Sequence, residues 1–106
     1  MDKLEEVLRR LKKYEPERII LFGSYGTEDM DEYSDLDLVV IKQTPKRFIE
    51  RLIEVWELLG EDVEKVDVFV YTPEEWERML EEKNAFAIEV IEKGRVVYEK
   101  GQAGSY

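Results

Sequence analysis

The chain has 106 residues and carries 26 Asp and Glu against 16 Lys and Arg, a net charge of −10. A chain of this length buries about 60–70% of its unfolded surface, enough for one modest core but not for two separate ones, and its acidity argues against nucleic acid, whose binding rests on cations that neutralise phosphates. Cys and His are both absent, which excludes thiol nucleophiles, disulfides, imidazole bases and zinc sites built from either residue.

Leu4, Val7, Leu8 and Leu11 recur at helical spacing between Lys3 and Tyr14, predicting an amphipathic helix that Pro16 helps to end. The run RIILF, Arg18 to Phe22, reads as a buried strand, and a loop from Gly23 to Ser34 follows it. DLDLVVI, Asp35 to Ile41, predicts a second strand with Asp35, Asp37, Val39 and Ile41 on one face and Leu36, Leu38 and Val40 on the other. Thr44 as cap and Pro45 at the first position predict a helix carrying Phe48, Leu52, Val55, Trp56 and Leu59 and ending at Gly60.

KVDVFVY, Lys65 to Tyr71, predicts a third strand whose faces carry Val66, Val68 and Val70 on one side and Asp67, Phe69 and Tyr71 on the other. Thr72, Pro73 and Glu75 form a capping-box start for a helix with Trp76, Met79 and Leu80 as its apolar side. A short helix around Phe86 to Ile91 ends at Gly94, RVVYE (Arg95 to Glu99) reads as a last strand, and residues 101–106 read as a frayed tail. Trp56, Trp76 and Tyr71 are expected to pack within the protein. This order of elements predicts an α/β (α+β) domain over residues 1–100, a mixed sheet of about four strands flanked by helices. No apolar run reaches membrane-spanning length and the charged first residues are unlike a secretory signal, so a cytoplasmic protein is expected. Its 40% charged residues, with Asn84 as the one Asn and only Gln43 and Gln102 as Gln, lean towards a thermophile.

Three carboxylates interrupt otherwise apolar strands: Asp35, Asp37 and Asp67. A carboxylate in such a place is costly unless it is paired or bound to a cation. Two of them about 4 Å apart repel by roughly 4 kcal/mol at an effective dielectric of about 20, a penalty that a divalent metal turns into a binding site. Oxygen ligands alone favour Mg²⁺ or Mn²⁺, and Mg²⁺ held by few carboxylates commonly takes substrate phosphates as further ligands. Gly23 permits a sharp turn and a close approach of backbone to ligand, and Ser24 adds a hydroxyl and a backbone N–H. Strand, Gly-Ser turn and metal carboxylates together point to a nucleoside triphosphate, and two-metal phosphoryl chemistry needs no histidine.

GSYGTEDMDEYSDLD, with Gly-Ser, ten intervening residues and Asp-x-Asp, resembles the motif of the DNA polymerase β nucleotidyltransferase superfamily, and Asp67 matches the third carboxylate on a later strand. Length and element order are most similar to the minimal nucleotidyltransferases, the MNT or MntA-type antitoxins. The resemblance implies that Gly23 and Ser24 bind the triphosphate of ATP and that Asp35 and Asp37 ligate both metals. Asp67 would ligate one metal and help to activate the attacking hydroxyl. It further implies a HEPN-domain protein as partner, with AMP moved from ATP to a tyrosine of that toxin. Relatives often carry arginines directly after Gly-Ser, whereas this chain has Tyr25, Gly26, Thr27, Glu28 and Asp29. Lys42, Lys46 and Arg47 in the next loop are the cations that would compensate.

The acidic run EDMDEYSDLD is not a calcium loop, because the Gly and Glu that an EF-hand needs at its sixth and twelfth positions are replaced by Ser34 and Val40. Glu28, Asp29, Asp31 and Glu32 read as a solvated loop. Two functions remain open: an enzyme moving AMP to a hydroxyl on a protein partner, and a catalytically weak module of the same fold that docks its acidic surface on a basic partner. A small-molecule acceptor is less suited, since relatives of that type carry an additional substrate domain. Apolar surface on the later helices suits either a homo-oligomer or a heteromeric complex.

Overall fold

The computed structural model describes residues 3–23 and 36–101. The first helix, α1, runs Lys3–Leu11 and continues as a 3₁₀ turn to Tyr14. Its Leu4, Val7, Leu8 and Leu11 are buried, as their spacing predicts. Glu15 takes a left-handed φ of 57° beside Pro16, which turns the chain into β1, Arg18–Phe22. Then come β2 (Leu36–Ile41), α2 (Phe48–Leu59), β3 (Val66–Tyr71), α3 (Pro73–Glu81), α4 (Ala85–Lys93) and β4 (Arg95–Glu99).

The strands form one mixed sheet in the order β3-β2-β1-β4. β1 is antiparallel to both of its neighbours, whereas β2 and β3 run parallel. A parallel pair needs a crossover, and α2 supplies it. Each face of the sheet has its own apolar layer. Ile19, Leu21, Leu38, Val40, Val68 and Val70 pack against α1 and α2, while Ile20, Val39 and Ile41 pack against Trp76 of α3 and Ala87 and Val90 of α4. β2 is covered on both faces, and this is why its apolar run is nearly continuous. The architecture is therefore the four-stranded mixed sheet with flanking helices that the sequence predicts. Among the described residues no helix is long and apolar enough to cross a membrane.

Two expectations change at α2. Thr44 and Pro45 do not start it: the Thr44 hydroxyl accepts from the Lys46 N–H at 3.2 Å, closing a turn, and the helix begins at Phe48 after an extended Arg47. The Arg47 N–H donates to Glu50 Oε1 at 3.3 Å. Trp56, expected in the core, is exposed instead, whereas Trp76 is buried as expected. Apolar residues surround most of α2, yet only Val55, Leu59 and their neighbours can face the sheet, so the rest of the apolar circumference is left outside. Tyr71 packs as expected, stacked on Trp76 and against Phe48, with ring centroids 5.7 Å apart in both pairs.

The side chain of α2 that goes inward unexpectedly is Arg51, only 5% exposed. Because Lys65 and Tyr71 turn their carbonyls towards β2, the alternation of the ladder points the Val70 carbonyl out of the open edge of β3. Arg51 covers it, donating from Nη1 at 3.2 Å, and donates from Nε to the Lys46 carbonyl at 2.8 Å. The same guanidinium meets Glu75 in a fork at 2.7 and 3.3 Å. Glu75 in turn accepts from the Thr72 N–H at 2.8 Å, while the Thr72 hydroxyl accepts from the Glu75 N–H at 3.1 Å. Arg51 thus joins α2 on one face of the sheet to the start of α3 on the other.

The guanidinium holds the Glu75 carboxyl below its ordinary value of 4.5. A group with a depressed folded-state pKa adds stability that is complete above its unfolded value and is lost as the pH falls through the folded one. We expect Arg51→Met to lower stability at neutral pH by about 1.5–3 kcal/mol, mainly because the Val70 and Lys46 carbonyls lose a charged donor. Its stability should also fall less between neutral pH and the region below 4.5 than that of the wild type. Denaturant titrations of both proteins across this pH range check the two effects, and equal pH slopes would rule out the Arg51–Glu75 pair as a source of pH dependence.

Candidate functional site

The register of the sheet brings together one end of three strands. Phe22, last in β1, is opposite Asp37, second in β2, and Asp37 is opposite Asp67, second in β3. Neighbours in register share a face, so Phe22, Asp37 and Asp67 all lie on the α3/α4 side of the sheet. Adjacent strands are about 4.8 Å apart, which makes Asp37 and Asp67 a carboxylate pair at the margin of the sheet. Asp37 is half-buried and Asp67 exposed. Behind it lies an apolar floor: Phe22, Phe69 and Phe86 pack with centroids 5.3–6.3 Å apart.

Gly23 completes this corner. Its φ is +90°, and a Cβ built on it would lie 2.5 Å from Asp37 Oδ2. Both facts demand glycine: the backbone conformation is unfavourable for L side chains, and the carboxylate occupies the volume that a methyl group would need. The end of β1 is therefore a backbone surface laid directly against a carboxylate. The sequence anticipates a close approach at Gly23, but the approach in this structure is to Asp37.

Ser24 and Asp35, the other two predicted site residues, lie outside the described residues, as do the acidic loop after Ser24 and positions 102–106 of the expected tail. Among the described residues no group of three metal-ligating side chains is gathered. The cations expected to compensate for the missing arginines are placed elsewhere. Lys42 follows the other end of β2, about 16 Å along the strand from Asp37. There its ammonium donates to the Tyr14 carbonyl at 2.5 Å and lies over the Tyr14 ring. Lys46 is paired with Glu54 at 2.7 Å, and Arg47 precedes α2. Topology instead puts Lys3, Lys65 and Arg95 at the carboxylate end: the Lys3 ammonium donates to the Lys65 carbonyl at 3.1 Å, and Arg95 is in register with Leu21, just before Gly23. Lys65 is legible there, two residues before Asp67, whereas α1 and β4 reach that end only through packing, and Arg95, in register with Leu21, shares the α1/α2 face rather than that of the carboxylates. A cleft of about 480 Å³ lined by Arg18, Ile41, Trp76, Glu77 and Glu99 lies at the opposite end of the sheet and touches none of the predicted site residues.

The sheet thus brings three of the five predicted site residues, Gly23, Asp37 and Asp67, to one end of neighbouring strands. The nucleotidyltransferase domain family matches residues 1–98. The chain belongs to that family. A crystal structure of a nucleotidyltransferase candidate from Sulfolobus solfataricus superposes on this nucleotidyltransferase domain with a TM-score of 0.55 at 18% identity, over 94% of this chain and 89% of the other. That likeness is one of fold. Among curated proteins, no sequence matches this chain.

The contact between Gly23 and Asp37 gives a direct test. Gly23→Ala should destabilise the domain by more than about 1 kcal/mol through its positive φ and the clash. In an Asp37→Ala background part of that cost should disappear, so that the two substitutions together cost less than their sum by about 0.5–3 kcal/mol. Chemical denaturation of the four proteins of this cycle measures the coupling, and strict additivity would refute the close approach.

Proposed function

We propose that this nucleotidyltransferase domain transfers AMP from ATP to a hydroxyl of a protein partner in a reaction dependent on Mg²⁺, or on Mn²⁺ in its place. The observation that carries this reading is the in-register pairing of Asp37 with Asp67 beside the Gly23 backbone. Two carboxylates on one face, in a chain that has neither Cys nor His, fit a hard divalent cation. Asp37 and Asp67 would hold it together with Asp35. When bound, the cation neutralises charge on the triphosphate and on the group that leaves.

The residues of the chain divide the remaining work. Gly23 and Ser24 bind and orient the triphosphate with backbone N–H groups and a hydroxyl. In the transfer the acceptor oxygen forms a bond to the α-phosphorus, the bond from that phosphorus to the bridging oxygen of the β-phosphate breaks, and pyrophosphate leaves with the electron pair. Asp67 takes the proton of the acceptor hydroxyl. Its exposed position at the edge strand suits a hydroxyl delivered by another protein. Lys65, two residues before Asp67, is the cation that the sequence places beside that end of β3. In keeping with the family resemblance, we infer a tyrosine of a HEPN-domain toxin as acceptor, an antitoxin role for this chain, and a cytoplasmic setting in which ATP and Mg²⁺ are at hand.

One observation favours a second reading, a docking module without turnover. The segment after Ser24 is acidic, Lys42 and Lys46 are engaged at the far end of the sheet, and Arg47 precedes α2 there. Calorimetric titration of ATP with Mg²⁺ separates the readings. Wild-type protein is expected to bind in a metal-dependent manner, and Asp37→Asn/Asp67→Asn to bind at least about tenfold more weakly with an unchanged circular dichroism spectrum. Transfer of label from α-labelled ATP to the partner should be lost with it. Equal binding by the wild type and the variant would remove the carboxylates from the site and leave the docking module.

A further inference from the structure

Four of the large apolar side chains left exposed belong to one helix: Phe48 is 40% exposed, Ile49 57%, Ile53 45% and Trp56 58%. All are on α2, whose opposite side is occupied with the sheet through Arg51, Val55 and Leu59. A monomer does not ordinarily leave a contiguous apolar row of this kind on its surface, and tryptophan and other large side chains in such a row mark interaction sites. The spacing has a definite form. Ile49, Ile53 and Trp56 are four and then three residues apart, the alternation by which one helix presents a seam to another. Each is followed by an acid, Glu50, Glu54 and Glu57, so a row of carboxylates runs alongside the seam. Lys46 is paired with Glu54 and feels Glu50 and Glu57 as well, and Arg47 caps the helix, so that three glutamates face two cations and the flank keeps a negative balance.

We propose that this face of α2 is a docking site for an amphipathic helix of another protein, one whose apolar seam is flanked by Lys or Arg. The seam selects a helix because three anchors at this spacing follow the ridge of a facing helix rather than an extended strand. The glutamate row selects a basic flank, which gains from the opposite charge as the rim of the contact closes. A second copy of this chain is the poorer occupant. A two-fold pairing brings the same row of glutamates from both copies together, on molecules that each carry a net charge of −10. The inference concerns binding alone and stands independently of the proposed AMP transfer.

The probes are two synthetic amphipathic helices with identical leucine seams, one flanked by lysines and the other by glutamates, titrated into isotopically labelled protein and followed by amide chemical shifts. The lysine-flanked peptide is expected to shift the amides of Ile49, Ile53 and Trp56, and the glutamate-flanked one to bind at least about tenfold more weakly. Ile53→Glu and Trp56→Ala, both at exposed positions, should weaken the first peptide by about tenfold or more at unchanged melting temperature. Glu50→Lys/Glu57→Lys should reverse the preference between the two peptides. Equal binding of both peptides, shifts confined to other elements, or a homodimer that Trp56→Ala dissolves would each overturn the proposal.

Discussion

The parallel pairing of β2 with β3 is the constraint from which most of this structure follows. Neighbouring strands that run the same way cannot be joined by a hairpin, so the chain must cross over, and α2 is that crossover. The register of the pair, Leu36 opposite Val66 through to Ile41 opposite Tyr71, sets Asp37 against Asp67. A slip of one residue would move both aspartates' neighbours to the wrong face and separate the carboxylates. The interlocked apolar layers on both sides of β2 resist that slip. The carboxylate pair is thus held by the whole sheet rather than by local contacts.

The same pairing leaves β3 on the edge, and edges need protection from further strand pairing. Arg51 provides it at one end of the strand. Burying a guanidinium is costly unless its donors are matched, and here they meet two backbone carbonyls and a carboxylate. The arrangement closes the outward carbonyl of Val70, ties α2 to α3 across the strand end, and sets how α2 is rotated against the sheet. That rotation also decides which side of a nearly all-round apolar helix faces water. The exposed Ile49, Ile53 and Trp56 row is the consequence of Arg51, Val55 and Leu59 turning inward.

Charge is distributed to match. Asp37 and Asp67 stand where three strand ends meet the surface, beside a glycine whose missing Cβ gives Asp37 its room. The lysines that follow β2 are engaged at the opposite end, one on the Tyr14 carbonyl and one on Glu54. The proposed metal and triphosphate site and the proposed docking face of α2 are two separate surfaces on one small domain.

Much of this was determined by the sequence alone. Period-two alternation assigned Asp37 and Asp67 to strand faces, the spacing of Leu4, Val7, Leu8 and Leu11 gave α1, and the Thr72-Pro73-Glu75 cap marked the start of α3, because these signals act over a few residues. The spacing from Gly23 to Asp37 carried the family, since the motif is itself a linear pattern. Tertiary structure alone decided which strands are neighbours, that a buried arginine rather than Trp56 turns inward from α2, and that Lys3 and Arg95 reach the carboxylate end of the sheet. A helix that is apolar around most of its circumference carries no local signal for its orientation. That choice is made by long-range contacts, here the demand of an open strand edge for a donor.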